Sequence, residues 1–154
     1  KLGFIDESTE TLNKFESKYL EMKFKNENLV KSLSKNPLTI ARLVSIWSDE
    51  NQASFFGDLI KASKEKKNIS IRKGDETVIS YINLIDACIL LNYIILYRKI
   101  GTINVCTNQY NSRSNMKAIV NNKKTTSISN LTGLRIHSCK LNWREIIENR
   151  NEIF

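Results

Sequence analysis

Glycine is scarce in this chain of 154 residues, and the five present, Gly3, Gly57, Gly74, Gly101 and Gly133, never cluster. A dinucleotide's pyrophosphate is ordinarily received on a glycine-rich turn opening a helix, and no such turn is written here. Histidine is rarer still, with His137 alone, and Cys88, Cys106 and Cys139 are odd in number, far apart and without a Cys-x-x-Cys pair. A Cys/His metal site and a disulfide framework are therefore not expected, and a reducing cytoplasm is the expected compartment. No apolar run reaches the roughly 18–20 residues a bilayer requires. The longest, 82–97, is interrupted by Asn83, Asp86 and Asn92. The start, Lys1-Leu2-Gly3-Phe4-Ile5-Asp6-Glu7, turns acidic at once and has no signal-peptide pattern.

What is there is enough for about one domain with a real core. The net charge of +8 raises the question of nucleic acid, since basic surfaces attract phosphate. The basic residues are dispersed, however, and the short clusters Lys64-Glu65-Lys66-Lys67 and Lys123-Lys124 fall where turns are expected. Neither an RNA-binding aromatic pattern nor a helix-turn-helix signature accompanies them, so a solvated surface is the expected reading.

Along the chain the pattern alternates between helix and strand. Residues 12–33 predict one long helix, with Phe15, Tyr19, Leu20, Met22, Leu29, Val30 and Leu33 recurring near helical period. Asn36-Pro37 stops it, because the residue before proline is steered away from the helical region. Residues 38–44 are apolar on both faces and read as a buried parallel strand. A helix over 52–65 follows, with Phe55, Phe56, Leu59 and Ile60 inward, then a short strand at 69–72 and a turn at Lys73-Gly74-Asp75. The pattern continues with a strand at 78–83, an apolar helix at 84–98, a strand at 101–107 and a helix at 114–122. Residues 121–134 are polar and read as loop or edge strand, and a last short helix covers 141–154.

Within the first helix lies Tyr19-Leu20-Glu21-Met22-Lys23, a Tyr-x-x-x-Lys spacing. Residues four apart stack on one helical face, so phenol and ammonium would point at the same place. An ammonium beside a phenol favours phenolate and lowers the pKa of Tyr19. A tyrosine so placed can exchange protons with a substrate hydroxyl near neutral pH. The plainer alternative is a half-buried core tyrosine, with Lys23 as a surface lysine paired to Glu27. Arg42, unusual in an apolar strand, calls for a carboxylate partner. Asp86 reads as a helix-start residue favoured by the dipole, Trp47 and Trp143 as packing residues, and Cys106, with no histidine near it in sequence, not as a nucleophile.

Several segments in order carry a family resemblance. Phe4-Ile5-Asp6-Glu7-Ser8-Thr9 resembles an acidic loop preceding an active-site tyrosine, and Tyr19, Lys23, Glu27 and Val30 match the helix that bears it. Residues 38–44, with Arg42, resemble the strand that follows, and 54–63 and 69–86 the helix and strand-turn-strand after that. Gly101-Thr102-Ile103-Asn104-Val105 and Leu141-Asn142-Trp143 resemble the later strand and terminal element. Together they resemble the C-terminal portion of the extended short-chain dehydrogenase/reductase family, the NAD-dependent epimerase/dehydratase group acting on nucleotide sugars.

The resemblance implies an α/β fold: a partial Rossmann-like doubly wound sheet, its second half, plus a small α/β substrate-binding region. Residues 1–50 would hold the catalytic helix and following strand of the Rossmann half, and 51–154 the substrate-binding region with interleaved Rossmann elements. It implies Tyr19 as general acid/base and Lys23 as its activator, both touching the nicotinamide side of NAD or NADP. Leu43 would lie against the cofactor and Ser45, where the family commonly has asparagine, against the substrate. The partners implied are a nucleotide-sugar substrate and either the missing N-terminal half or a second copy across an exposed sheet edge, with no metal, membrane or nucleic acid.

Two departures stand beside it. Only eighteen residues precede Tyr19, so the family's catalytic Ser or Thr strand falls before this chain's start, which suggests a fragment or split polypeptide. Ile79-Ser80-Tyr81-Ile82 stands where the family has an arginine that pairs with the diphosphate, so that bidentate clamp is lost. A non-catalytic remnant acting as a binding or assembly module is the alternative expectation.

Overall fold

A computed structural model describes residues 2–7, 18–49, 54–72, 75–123, 133–136, 138 and 140–152. Its strands are β1 (Leu2–Ile5), β2 (Thr39–Leu43), β3 (Ser45–Trp47), β4 (Val78–Asn83), β5 (Gly101–Val105), β6 (Tyr110–Ser112) and β7 (Gly133–Ile136). Its helices are α1 (Lys18–Leu33), α2 (Phe55–Lys64), α3 (Leu84–Leu96), α4 (Arg113–Val120) and α5 (Trp143–Glu148), followed by a 3-10 turn at Arg150–Glu152. The architecture is mixed α/β.

β2 and β5 run parallel, with Thr39 opposite Gly101 and Leu43 opposite Val105. β3 runs parallel to β4, with Ser45 opposite Tyr81, and β6 pairs antiparallel on β4's other side, with Val78 opposite Ser112. β1 and β7 form a further parallel pair, and the Ile136 N–H donates to Ser80 Oγ at 2.9 Å, joining β7 to β4.

β4 alternates in burial along its length: Val78, Ser80 and Ile82 are buried while Ile79, Tyr81 and Asn83 are half-buried. The chain then turns directly into α3, where Asn83 caps the helix by accepting from the Ile85 N–H at 2.8 Å. α3 covers β3, β4 and β5 and packs beside α5. The core sits there, around Ile82, Ile89, Leu90, Ile94, Ile103, Val105, Leu141 and Ile146. Each such side chain contributes roughly 1.5–3 kcal/mol on burial. Ser54 caps α2 and Ser112 caps α4 in the same way.

β5 has two unlike edges. Toward β2 it is paired, and the Gly101 N–H reaches the Leu38 carbonyl at 2.8 Å. On the other edge the Thr102 carbonyl accepts from Lys140 Nζ at 2.8 Å, and the Asn104 N–H donates to Glu7 Oε1 at 2.8 Å. Side chains thus satisfy groups that a further strand would otherwise take. Glu7 also accepts from Ser138 Oγ, which itself accepts from the backbone of Lys140 and Leu141.

Several expectations change. The segment 69–72 is not a strand; the Asn121 side chain bonds both the N–H and the C=O of Ile69, at 2.8 and 2.9 Å, in place of a ladder partner. The turn holds at its described end, where Asp75 accepts from the Arg72 N–H at 2.7 Å. Lys73 and Gly74 lie outside the described residues, as do Phe15 and the rest of the expected helix before Lys18, Ser8 and Thr9, Gln52, His137 and Cys139. β3 and β6 are short strands that the sequence pattern does not announce. β2 is not buried on both faces: it is half-buried in its middle and exposed at Thr39 and Leu43, because it has β5 as its neighbour among the described residues and no second strand.

Candidate functional site

α1 presents the Tyr-x-x-x-Lys pair as its spacing predicts. Lys23 Nζ lies 5.6 Å from the centre of the Tyr19 ring, so the two groups share one face across one helical turn. The half-buried positions of α1 are Glu21, Phe24 and Glu27, spaced three apart. Tyr19 is 60% exposed, and Met22, Leu29, Val30 and Leu33 are also largely exposed. These apolar residues, which recur along α1 at helical period, are therefore turned out, and the phenol is accessible rather than packed in the core.

Arg42 finds the carboxylate its position demands. Its Nε donates to Glu27 Oε2 at 2.9 Å and its Nη2 to Glu27 Oε1 at 2.7 Å, a two-point grip between β2 and α1. Lys31 adds a contact to Glu27 at 2.6 Å. Glu27 is therefore not Lys23's partner, contrary to the plainer alternative. The Arg42 hydrogen bond, ahead of the cost of burial, holds the Glu27 carboxyl below the usual carboxylate range.

Leu43 ends β2 and Ser45 begins β3, with buried Val44 between them. Leu43 is 45% exposed and Ser45 is exposed, at the carboxyl end of a parallel pair, where open α/β sheets bind ligands. The structure thus forms two couples, Tyr19 with Lys23 and Leu43 with Ser45, and Arg42 ties the strand of one to the helix of the other.

Other candidates fall on the structural side. Cys106 is buried, and its thiol is pushed up to about 12 by burial and by the nearby Glu7 charge, which keeps it protonated and inert. Asp86 sits in the first turn of α3, its carboxyl raised by burial and partly offset by Arg150. Trp143 packs against the core. The Trp47 indole N–H and the buried Thr107 hydroxyl find no partner among the described residues. No group of three or more His, Cys, Asp or Glu among the described residues could hold a metal ion, and no described helix is long and apolar enough to cross a membrane.

Sequence reasoning missed a set of residues brought together from afar. A hollow of about 510 Å³ is lined by Asn108, Ser138, Lys140, Leu141, Asn142, Trp143 and Arg144. A second, of about 210 Å³, adjoins it through Lys140, Leu141 and Asn142 and reaches Tyr93 and Tyr97. Neither includes Tyr19 or Lys23.

Comparison with solved structures places this geometry. The Bordetella bronchiseptica enzyme WbmG in complex with NAD superposes with a TM-score of 0.62 at 13% identity, over 99% of this chain and 57% of that one. MoeE5 in complex with UDP-glucuronic acid and NAD gives 0.63 at 13% identity, over 95% of this chain and 53% of that one. The chain has the fold of about half of each of these proteins. A UDP-glucuronic acid 4-epimerase from Bacillus cereus, a tyrosine-to-phenylalanine mutant bound to a fluorinated UDP-sugar and NAD, gives 0.61 at 19% identity, over 96% and 50%. The fold is thus the Rossmann-like α/β fold of NAD-dependent sugar-nucleotide enzymes. No family model matches the chain, and no curated protein matches it.

Proposed function

We propose that this chain is the C-terminal part of an NAD(P)-dependent sugar-nucleotide epimerase, dehydratase or reductase. Tyr19 serves as the general acid/base, with Lys23 beside it on the same helical face. The observation that carries the reading is the pairing of an exposed Tyr19 with Lys23 on one face of α1, in a fold shared with NAD-bound enzymes. Residues 1–50 then supply the catalytic helix and its strand, and 51–154 the substrate region.

The residues present fit the nicotinamide end of such a cofactor, because both Tyr19 and Lys23 stand clear of the core and Leu43 and Ser45 lie at a strand's carboxyl end. They do not include a glycine-rich turn for the pyrophosphate. When bound, the cofactor supplies the hydride chemistry. The chain's own residues do the rest. Lys23, on the same helical face as Tyr19, would hold the cofactor on its nicotinamide side. Tyr19 takes a proton from a sugar hydroxyl or returns one to a ketone. Leu43 lines the cofactor's surroundings, Ser45 touches the substrate, and the Arg42–Glu27 grip fixes helix to strand. The chain spans about half the length of the structures it resembles. Its partner is accordingly the complementary half, or a second copy meeting it along β2.

The test is Tyr19→Phe in the complete enzyme, assayed for turnover on UDP-sugars and for NAD affinity. The expected result is loss of turnover by about 10²–10⁴-fold, the usual contribution of positioned acid–base catalysis, with NAD affinity within a few-fold. Retained turnover removes Tyr19 from the chemistry. A non-catalytic binding or assembly module is the second reading, favoured by β4: Ile79, Ser80, Tyr81 and Ile82 supply no guanidinium there, and the Ser80 hydroxyl is committed to β7. Unmeasurable turnover of the wild-type complete protein with NAD and NADP across UDP-sugars would favour that module.

A further inference from the structure

α2 and α4 run side by side in one direction. At their starts the Arg113 guanidinium lies 5.4 Å from the centre of the Phe55 ring, and beyond their ends the Asn121 side chain clasps the N–H and C=O of Ile69. Both helices also end in the same way. A left-handed residue, Lys66 in one and Asn122 in the other, turns the chain. The next N–H, of Lys67 or Lys123, then donates to the carbonyl five residues back, Ala62 at 2.9 Å or Ala118 at 2.8 Å. Lysine clusters far apart in sequence therefore meet at one end of the fold. Lys67 precedes the Ile69–Asn121 clasp by two residues and Lys123 follows it by two, each within about 7 Å of it along the backbone.

Exposed Lys61, Lys64, Lys66, Lys67 and Lys123 make up this end, and Glu65, the one carboxylate among its described residues, is paired to Lys67 at 2.8 Å. Asp58 lies in the first turn of α2, and the Asp75 carbonyl accepts from the Ser114 N–H at the start of α4, so those acids belong to the opposite end. Helix C-termini favour ammoniums, but two of them supply only about half a negative charge each, which leaves a surplus of about three positive charges facing solvent. Ile119 and Ile71, each two residues from the clasp on the side away from the lysine, are 58% and 44% exposed.

We infer that this end of the α2–α4 pair docks on an anionic lipid surface. Clustered ammoniums are drawn to the diffuse negative field of a leaflet. Exposed isoleucines among them suit the headgroup boundary, which takes apolar side chains beneath a charged fringe. A nucleic acid fits less well, because the cluster is lysine throughout, without the guanidinium forks that grip phosphates in pairs. No exposed aromatic ring for stacking a base is among its described residues either. The inference does not rest on Tyr19 or its helix, so its failure leaves the proposed chemistry untouched.

The experiment sediments the full chain with vesicles of phosphatidylcholine carrying about 30% phosphatidylserine, or of phosphatidylcholine alone, at about 0.1 M salt. Binding is expected to the first and not to the second. The triple substitution Lys64→Gln, Lys66→Asn and Lys123→Gln should weaken it about tenfold or more. Lys18→Gln, Lys25→Gln and Lys35→Gln together remove the same charge from exposed positions of α1 and should leave affinity within a few-fold. Ile119→Ser should weaken lipid binding several-fold without changing its dependence on salt. Equal losses in the two triple variants would assign the binding to net charge and overturn the docking end. So would equal binding to both kinds of vesicle, absence of binding to either, or unchanged lipid affinity in Ile119→Ser. Tighter binding to a DNA or RNA oligonucleotide, lost in the first triple variant, would make the partner a nucleic acid and overturn the lipid assignment.

Discussion

Arg42 holds Glu27 with two hydrogen bonds, at 2.9 and 2.7 Å, so the strand that ends at Leu43 and the helix that carries Tyr19 are fastened to each other through one guanidinium. Arg42→Met leaves Glu27 with Lys31 alone and should cost about 1–3 kcal/mol, read as a shift in the urea midpoint with an unchanged slope. Arg42→Lys should recover only part of it, since an ammonium cannot make the fork. A full recovery would show that charge alone suffices.

Acid should loosen the same joint. The Glu27 carboxyl is depressed in the fold by Arg42, so its contribution is fully present above the ordinary carboxylate value of 4.5 and is lost as pH falls through the lower folded value. The stability of wild type should therefore drop below about pH 4.5 more steeply than that of Glu27→Gln. Parallel pH profiles for the two would contradict the assignment.

Lys117 and Asp75 form a second, more enclosed pair, 2.7 Å apart with each side chain 11% exposed. Asp75 also accepts from the Arg72 N–H, so it pins the turn before β4 to α4. Lys117→Met strips a buried carboxylate of its counter-ion and should cost about 1–3 kcal/mol by chemical denaturation. Asp75 is held low by Lys117 first, so this contribution too is present above its ordinary 3.8 and disappears on acidification beneath it. A thermal or urea midpoint unchanged in Lys117→Met would show that the pair contributes nothing net.

Cys106 should resist alkylation in the native chain. Burial and the Glu7 charge hold its thiol at about 12, whereas Cys88 is exposed. Iodoacetamide at pH 8 followed by peptide mapping should find label at Cys88 and none at Cys106 until the chain is unfolded. Native labelling of Cys106 would mean that the core around β5 opens far more readily than its packing indicates.

Exposed Met22, Leu29 and Leu33 on α1, with exposed Leu43 at the end of β2, predict a concentration-dependent mass by light scattering for the chain on its own. Met22→Lys with Leu29→Glu should shift the distribution toward monomer. A monodisperse wild-type monomer across a wide concentration range would contradict this.

Much of the fold was legible in the sequence where local signals and burial agree. β4 falls on 78–83, where β-branched and aromatic residues suit a partly covered strand, and α3 and β5 fall within the apolar runs that follow. The Tyr19–Lys23 pair was legible because four-residue spacing is a property of the helix alone. The inward face of α1 was not, since periodicity shows that residues share a side but not which side is covered. The segment 69–72 misled because its β-branched residues meet an asparagine side chain instead of a strand. The hollow lined by Asn108, Ser138 and residues 140–144 was invisible because these residues meet only in the folded chain, and no local pattern records that.

The unequal edges of β5 give this small sheet a direction. One margin is sealed by Lys140 and Glu7, while β2 on the far side meets no further neighbour among the described residues. Recruitment of any additional strand is accordingly one-sided. A strand joining there would lie flush against β2, the strand whose Arg42 grips the helix that displays Tyr19, so extending the sheet would bear directly on that joint.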